Sequence, residues 1–172
     1  MSLPQLLGRE GEAFADTMIK GMQLDSRRVR PGDLFLALPG EQHDGRQFID
    51  LAVANGAAAV LAEAPVAGVL YTIAALLIEL PELRFEAGLL AARFYGNPSH
   101  SMHVLGITGT NGKTTTSRIV AQLTRTLGKP CGVIGTLGAT LEDGVTVASN
   151  TTPDALSLQR QLAEWFQRDV LA

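Results

Sequence analysis

Short apolar runs alternate with longer stretches of helical periodicity along the chain, a pattern typical of α/β proteins. The apolar runs are bounded by turn residues and predict strands at 33–38, 57–61, 75–80, 103–107 and 131–136. Apolar residues at helical spacing predict helices at 47–55, 81–94, 113–127 and 154–167. The second helix is expected to begin at Pro81, because proline suits the first helical position. Residues 138–149 are predicted to form a hairpin or loop.

A turn-forming stretch, Gly-Asn-Pro-Ser-His at 96–100, interrupts this pattern after the second helix. A chain of 172 residues is long enough for one domain and a short second one. We therefore expect two α/β domains, residues 1–97 and residues 98–172. The second holds few strands for a nucleotide-binding sheet.

Charge and composition exclude several classes of protein. The net charge of -3, without a run of Lys or Arg, provides no electrostatic footprint for nucleic acid. Cys131 is the only cysteine, which suits a reducing compartment. No targeting segment opens the chain, and the uncharged stretch 64–78 contains Pro65 and Gly68 and is too short to span a bilayer. We expect a cytoplasmic protein that does not insert into a membrane.

Residues 104–115 place a strand, a glycine turn and a helix in the order that a phosphate-binding loop requires. Glycines let backbone N–H groups converge on phosphate oxygens, and the helix N-terminus adds free donors and partial positive charge. Lys113 would reach the terminal phosphates of ATP, and the Thr114 hydroxyl would ligate Mg²⁺. The match to G-x-x-x-x-G-K-[ST] is imperfect, because Ile107 occupies the first glycine position. The alternative is a tight strand-to-helix turn with an exposed lysine.

A phosphate-binding loop also needs a carboxylate, usually at the end of another strand, to help hold Mg²⁺. The sequence offers none that fits, because Glu142 and Asp143 precede Gly144 in a context typical of a turn. Either the second domain is unusually small, or the chain stops before this carboxylate. We favour the second interpretation.

The loop Thr-Gly-Thr-Asn-Gly-Lys-Thr at 108–114 resembles the nucleotide loop of the Mur ligases, the ATP-dependent amino-acid ligases of peptidoglycan synthesis. Further ordered segments resemble the tripeptide synthetases of that family. They are Leu-Asp-Ser-Arg at 24–27, Pro-Gly-Asp-Leu-Phe at 31–35, Asp-Gly at 44–45, Gly-Val-Ile-Gly-Thr-Leu-Gly at 132–138 and Asn-Thr-Thr-Pro at 150–153. The resemblance extends over nearly the whole chain.

The resemblance implies an enzyme of three domains. A Rossmann-like first domain binds the uridine nucleotide, a P-loop central domain binds ATP with Mg²⁺, and a third domain binds the incoming amino acid. ATP phosphorylates the D-Glu carboxylate of UDP-N-acetylmuramoyl-L-alanyl-D-glutamate, and the amine of meso-diaminopimelate or L-lysine attacks the acyl phosphate. The family's Glu-Val-Ser-Ser-His strand, its carbamylated lysine and its third domain are absent from this sequence. We therefore expect this chain to bind substrate but not to complete the ligation alone. We also expect it to be a monomer.

Site residues follow from the same resemblance, position by position. ATP binding, with Lys113 as the catalytic residue and Thr114 as the Mg²⁺ ligand, is assigned to Gly109, Thr110, Asn111, Gly112, Lys113, Thr114 and Thr115. Binding of the UDP-muramoyl-dipeptide is assigned to Leu24, Ser26, Glu41, Gln42, His43, Asn150, Thr151 and Thr152. Hydroxyl and amide groups suit the second task, since they bond pyrophosphate and sugar oxygens without needing to ionise.

Two other functions remain open. One is another ligase of the superfamily, including a folylpolyglutamate-type enzyme, and the segment 24–45 would distinguish it. The other is a non-catalytic nucleotide-binding module or a small phosphotransferase, which would need a Mg²⁺ carboxylate within these residues. The blander interpretations are that Ser26 is a loop hydroxyl, that His43 is a turn residue, and that residues 150–153 cap the last helix.

Overall fold

The computed structural model describes residues 1–8, 17–40, 43–64, 76–141, 144–146 and 153–170. The chain divides into two compact units, Met1–Phe94 and Tyr95–Ala172. This division lies beside the 96–100 turn. The assignment of one unit to substrate and the other to ATP stays a prediction.

The first unit alternates strands and helices, in the order α1, β1, β2, α2, β3, β4, α3. Their bounds are α1 Leu3–Leu7, β1 Gly21–Gln23, β2 Asp33–Ala37, α2 Ile49–Ala54, β3 Ala59–Glu63, β4 Leu76–Leu80 and α3 Leu83–Phe94. Short 3₁₀ turns at Ser26–Arg28 and Gly45–Phe48 follow β1 and β2. Strands β1 to β4 form one parallel sheet in sequence order. The sheet confirms the α/β prediction for this unit.

Both faces of the sheet are covered at β2 and β3, which explains why residues 34–37 and 59–62 are continuous apolar runs. All of β2 is buried. Phe35 and Val60 pack on one face with Ile49 and Ala52 of α2. Leu34 and the other alternate residues point to the opposite face, where α3 contacts β3 and α1 contacts α3.

Phe35→Ala is expected to lower the free energy of unfolding by about 3–5 kcal/mol, because truncating a buried aromatic ring leaves a cavity. Phe35 is fully buried at the centre of this core. Urea denaturation followed by far-UV circular dichroism measures the change. Phe85→Ala is the matched control, since Phe85 is 77% exposed on α3 and its loss should change stability by less than about 0.5 kcal/mol. Equal losses in the two variants would contradict the placement of Phe35.

The second unit contains α4 Lys113–Thr126, β5 Val133–Gly135, β6 Gly138–Leu141, β7 Gly144–Thr146 and α5 Ala155–Phe166, after a 3₁₀ turn at Pro98–His100. Strands β5, β6 and β7 form an antiparallel sheet, and β6 and β7 confirm the predicted hairpin. Leu162 and Trp165 of α5 pack against Ala139 of β6. None of the described helices in either unit is long and apolar enough to cross a bilayer.

The predicted strand at 103–107 is wrong for the described structure, since these residues belong to no strand. A strand requires a hydrogen-bonded neighbour, and no described segment of the second unit pairs with this one. Val104 and Leu105 are 59% and 66% exposed. The helix α4 beyond them has no buried residue.

Two element boundaries also differ from the prediction. Pro81 does not begin a helix, because Glu82 adopts a left-handed conformation (φ 55°) and α3 starts at Leu83. The third strand begins at Ala59 rather than at residue 57, because the N–H of Ala57 still bonds the carbonyl of Ala52 at the end of α2.

Candidate functional site

The glycine loop of the second unit has the backbone that its sequence predicts. Gly109 (φ 145°) and Gly112 (φ 80°) lie in the region that favours glycine. A side chain would be strained at either position, although nothing described would block a Cβ at Gly112. All residues from 109 to 115 are exposed. The loop is therefore open to an anion from solvent.

The start of α4 offers backbone donors to that anion. Gly112 is the N-cap residue, and no side chain caps the helix. The first bond within the helix runs from the N–H of Thr116 to the carbonyl of Gly112, at 2.8 Å. The N–H groups of residues 113–115 thus have no partner within the helix, and the helix dipole places partial positive charge beside them. This is the arrangement that binds phosphate at helix N-termini.

The Lys113 ammonium lies over the same loop. Its Nζ donates to the carbonyl of Gly109 and, at 3.4 Å, to the carbonyl of Thr110. These bonds fold the side chain back over the turn and hold a positive charge beside the free amides. Lys113 is exposed, so that charge is accessible to a ligand. Since Lys113 is exposed and, among the described residues, bonds only the loop's own carbonyls, the alternative of a tight turn with an exposed lysine stays open.

Thr114 is the one predicted metal ligand in this loop. Its carbonyl accepts a bond from Ser117 Oγ at 2.9 Å, while its hydroxyl bonds to no described residue. A hydroxyl at this position suits Mg²⁺ shared with phosphate oxygens. Within the described ranges, no group of three or more His, Cys, Asp or Glu residues could hold a metal ion. The role of the Thr114 hydroxyl as a Mg²⁺ ligand stays a prediction.

Three of the residues predicted for the uridine site, Leu24, Ser26 and His43, lie at the carboxyl edge of the parallel sheet, where ligands of open α/β sheets bind. Leu24 follows β1 and is half-buried, and Ser26 opens the 3₁₀ turn after it. The backbone of Ser26 is held by a 2.9 Å bond from Asn55 Nδ2 to its carbonyl. Ser26 itself is buried, with 6% of its surface exposed, and its hydroxyl bonds to no residue that the structure describes.

The loop after β2 brings His43 to the same edge. The N–H of Gly40 bonds the carbonyl of His43, and the N–H of Gly45 bonds the carbonyl of Leu38, both at 2.9 Å. A Cβ at Gly40 would lie 2.6 Å from the His43 carbonyl oxygen, so this loop closes only with glycine there. The His43 ring meets Phe48 edge-on at 6.5 Å between centroids.

Two Asp-x-Arg turns stiffen these loops. Asp25 caps the turn after β1 and accepts bonds from the Arg27 guanidinium at 2.8 and 2.9 Å. Asp44 does the same after β2, with Arg46 at 2.7 to 3.0 Å. Hydrogen bonds from Arg27 and from Arg46 hold the pKa of each aspartate below its ordinary value. Each carboxylate therefore favours its ionised form, which keeps its turn closed.

Asp25→Asn is expected to lower the free energy of unfolding at pH 7 modestly, because the pair with Arg27 is largely exposed. The folded-state pKa of Asp25 is depressed, so its contribution is present above the ordinary value of 3.8 and is lost as pH falls through the lowered pKa. The gap between wild type and variant should therefore narrow progressively as pH falls below about 3.8, which urea denaturation at several pH values measures. Glu79→Gln, at an exposed residue of β4, is the control for loss of a surface carboxylate and should change stability by less than about 0.5 kcal/mol at pH 7. A gap for Asp25→Asn that does not narrow as pH falls below 3.8 would contradict the prediction.

Five predicted site residues lie outside the described part of the chain: Glu41, Gln42, Asn150, Thr151 and Thr152. The helix that follows the last three is capped by Asp154, whose carboxylate accepts from the N–H and the hydroxyl of Ser157 at 2.8 and 2.6 Å. Their assignment to the substrate stays a prediction.

Models of known protein families match residues in both units. Residues 18–95 match the model of the Mur ligase family, catalytic domain, and residues 107–170 match that of the Mur ligase middle domain. The chain belongs to the Mur ligase family. Its α/β fold class is confirmed by solved Mur ligases. A structure of UDP-N-acetylmuramoyl-L-alanyl-D-glutamate--2,6-diaminopimelate ligase matches with a TM-score of 0.82 and 31% identity, over 99% of this chain and 34% of that one.

Two relatives of this chain are named, like that structure, as UDP-N-acetylmuramoyl-L-alanyl-D-glutamate--2,6-diaminopimelate ligases. The enzyme of Pseudomonas aeruginosa is 48% identical over 95% of this chain and 33% of its own length. That of Ectopseudomonas mendocina is 46% identical, over 97% and 34%. A MurF ligase from Thermotoga maritima in complex with ADP matches more distantly, with a TM-score of 0.55 and 29% identity over 86% of this chain and 30% of its own. The chain spans about a third of the length of these relatives.

One residue at the carboxyl edge escaped the sequence prediction. Arg84 lies in the first turn of α3, and its guanidinium bonds the carbonyl of Pro39 after β2. Only its position just beyond β4 could have identified it, since the carboxyl ends of parallel strands share one edge of the sheet.

Proposed function

We propose that this Mur ligase chain binds UDP-N-acetylmuramoyl-L-alanyl-D-glutamate and ATP as part of a ligase that adds meso-diaminopimelate. The observation that carries the proposal is the open glycine loop, with free amides at the start of α4 and the Lys113 ammonium beside them. The names of the relatives at 46–48% identity supply the substrates. L-lysine is the alternative amino acid.

The proposed reaction overcomes the low reactivity of a carboxylate. An oxygen of the D-Glu carboxylate attacks the γ-phosphorus of ATP, and the bond to the β-phosphate oxygen breaks, so that an acyl phosphate and ADP form. The amine then attacks the acyl carbon, and inorganic phosphate leaves as the amide bond forms and the amine loses a proton. Lys113 and the loop amides would neutralise charge on the transferred phosphoryl group.

Mg²⁺, when bound, supplies further charge neutralisation on the phosphates. In this chain the Thr114 hydroxyl would hold it together with phosphate oxygens. In the first unit, Leu24 and the Ser26 hydroxyl would contact the uracil side of the substrate. Glu41, Gln42 and His43 would contact the nucleotide from the loop after β2, and Asn150, Thr151 and Thr152 would contact the muramoyl-dipeptide.

Among ligases of this superfamily, a folylpolyglutamate-type enzyme is disfavoured because the matched Mur ligase region includes residues 24–45. A non-catalytic nucleotide-binding module would bind ATP but not the UDP-linked substrate.

We further propose that the protein is cytoplasmic and monomeric. Since the chain spans about a third of its relatives, we expect binding without turnover.

Isothermal titration calorimetry of the full chain tests the proposal. Separate titrations with ATP and with UDP-N-acetylmuramoyl-L-alanyl-D-glutamate should each show saturable binding, while a mixture with meso-diaminopimelate should release no ADP. A folded sample that binds neither ligand at millimolar concentration would overturn the proposal. Binding of ATP alone would favour the non-catalytic module.

A further inference from the structure

The guanidinium of Arg84 crosses the carboxyl edge of the first unit's sheet. Arg84 is the second residue of α3, just beyond β4. Its Nη2 donates to the carbonyl oxygen of Pro39, after β2, and its backbone N–H donates to Oε2 of Glu63, the last residue of β3, at 3.1 Å. Because β3 lies between β2 and β4, Arg84 connects the ends of three adjacent strands.

The charge of Arg84 is not compensated by the described part of this edge. Its side chain is exposed, and no described carboxylate forms an ion pair with it. The other arginines described beyond these strand ends differ: Arg27 and Arg46 each pair with an aspartate, and Arg28 lies 3.9 Å from the carboxylate of Asp25. Arg84 therefore presents an exposed guanidinium at this edge, with one Nη2–H donated to the Pro39 carbonyl and its other N–H groups bonded to no described residue.

A UDP-linked substrate would bring negative charge to the same edge through its diphosphate. The residues assigned to its nucleotide end are Leu24, Ser26, Glu41, Gln42 and His43, which include an acid but no residue of permanent positive charge. An arginine fork forms paired N–H···O bonds to phosphate oxygens. The N-terminus of the 12-residue helix α3 adds partial positive charge beside it.

We propose that Arg84 binds the diphosphate of the UDP-linked substrate, with its guanidinium held at this edge by the bond to the Pro39 carbonyl. The proposal rests on the proposed function, because it assigns a phosphate contact within that substrate site. A free Glu63 carboxylate at this edge would repel a phosphate. The backbone N–H of Arg84, at the start of α3, donates a hydrogen bond to this carboxylate and so reduces the repulsion.

Binding of UDP and of uridine to the full chain separates a phosphate contact from a general effect on the site. Calorimetry measures UDP affinity, and ligand-observed NMR measures the weaker uridine affinity. Arg84→Gln should weaken UDP binding at least about tenfold and change uridine affinity by less than about twofold. Arg84→Lys, which keeps the charge but loses the fork, should weaken UDP binding by a smaller factor.

The matched control is Arg30→Gln. Arg30 is also exposed, but it lies before β2, at the opposite edge of the same sheet. The UDP affinity, the uridine affinity and the melting temperature of this variant should match those of the wild type. Unchanged UDP affinity in Arg84→Gln would overturn the proposal. Equal weakening of UDP and uridine would also overturn it, by showing that Arg84 only shapes the loop. Failure of the wild type to bind either ligand would instead overturn the proposed function of the site.

Discussion

Replacing Lys113 by alanine is expected to weaken ATP binding by about 100-fold, or about 2.7 kcal/mol at about 1.36 kcal/mol per factor of ten. The ammonium is held over the loop by the carbonyls of Gly109 and Thr110, beside the free amides of α4. Its loss would leave the phosphates with neutral donors only, and charge-assisted bonds are roughly twice as strong as neutral ones. Titration of the full chain with a fluorescent ATP analogue measures the change.

Lys129→Ala is the matched control for this prediction. Lys129 is also exposed but follows the opposite end of α4, so its removal should leave ATP affinity within about twofold of wild type. Lys113→Arg should retain part of the affinity, since it keeps the positive charge. Undiminished binding by Lys113→Ala would show that the loop is only a strand-to-helix turn, and the ATP site would have to lie elsewhere.

Gly132→Ala should destabilise the second unit by about 1–3 kcal/mol, the usual cost of overpacking. A Cβ on Gly132 would lie 2.6 Å from Cη2 of Trp165, well inside van der Waals contact. Trp165 is 3% exposed and packs with Leu162 and Ala139, so the ring cannot move without opening this core. Urea denaturation followed by tryptophan fluorescence measures the effect, and Trp165 is the only tryptophan of the chain.

Gly135→Ala provides the control within the same segment. No described atom lies within 4 Å of a Cβ at Gly135, so this variant should match wild type or gain up to about 1 kcal/mol through reduced freedom of the unfolded chain. Equal destabilisation by both substitutions would contradict the close approach of Gly132 to Trp165. It would indicate instead that any side chain disturbs β5.

Features with a local physical cause could be predicted from the sequence. The run at 34–37 lies in a buried parallel strand because four consecutive apolar residues, set between Gly32 and Pro39, suit a sheet covered on both faces. Gly109 and Gly112 adopt the backbone expected of a phosphate-binding loop because glycine alone populates those angles without strain.

Features that depend on distant neighbours could not be predicted in this way. Residues 103–107 have the apolar composition of a strand, but a strand needs a paired neighbour, and none is described for them. Pro81 was expected to start a helix, yet the left-handed Glu82 delays α3 to Leu83.

The family, the α/β class and the glycine turn before α4 could be predicted from the sequence, because apolar runs, turn residues and motif order are local properties of the chain. The tertiary structure alone decided that Arg84 reaches from α3 to Pro39 and that Gly132 must lack a side chain beside Trp165. Each of these contacts joins residues more than thirty positions apart. No local pattern encodes such a distance, since it is set by the packing of whole helices against strands.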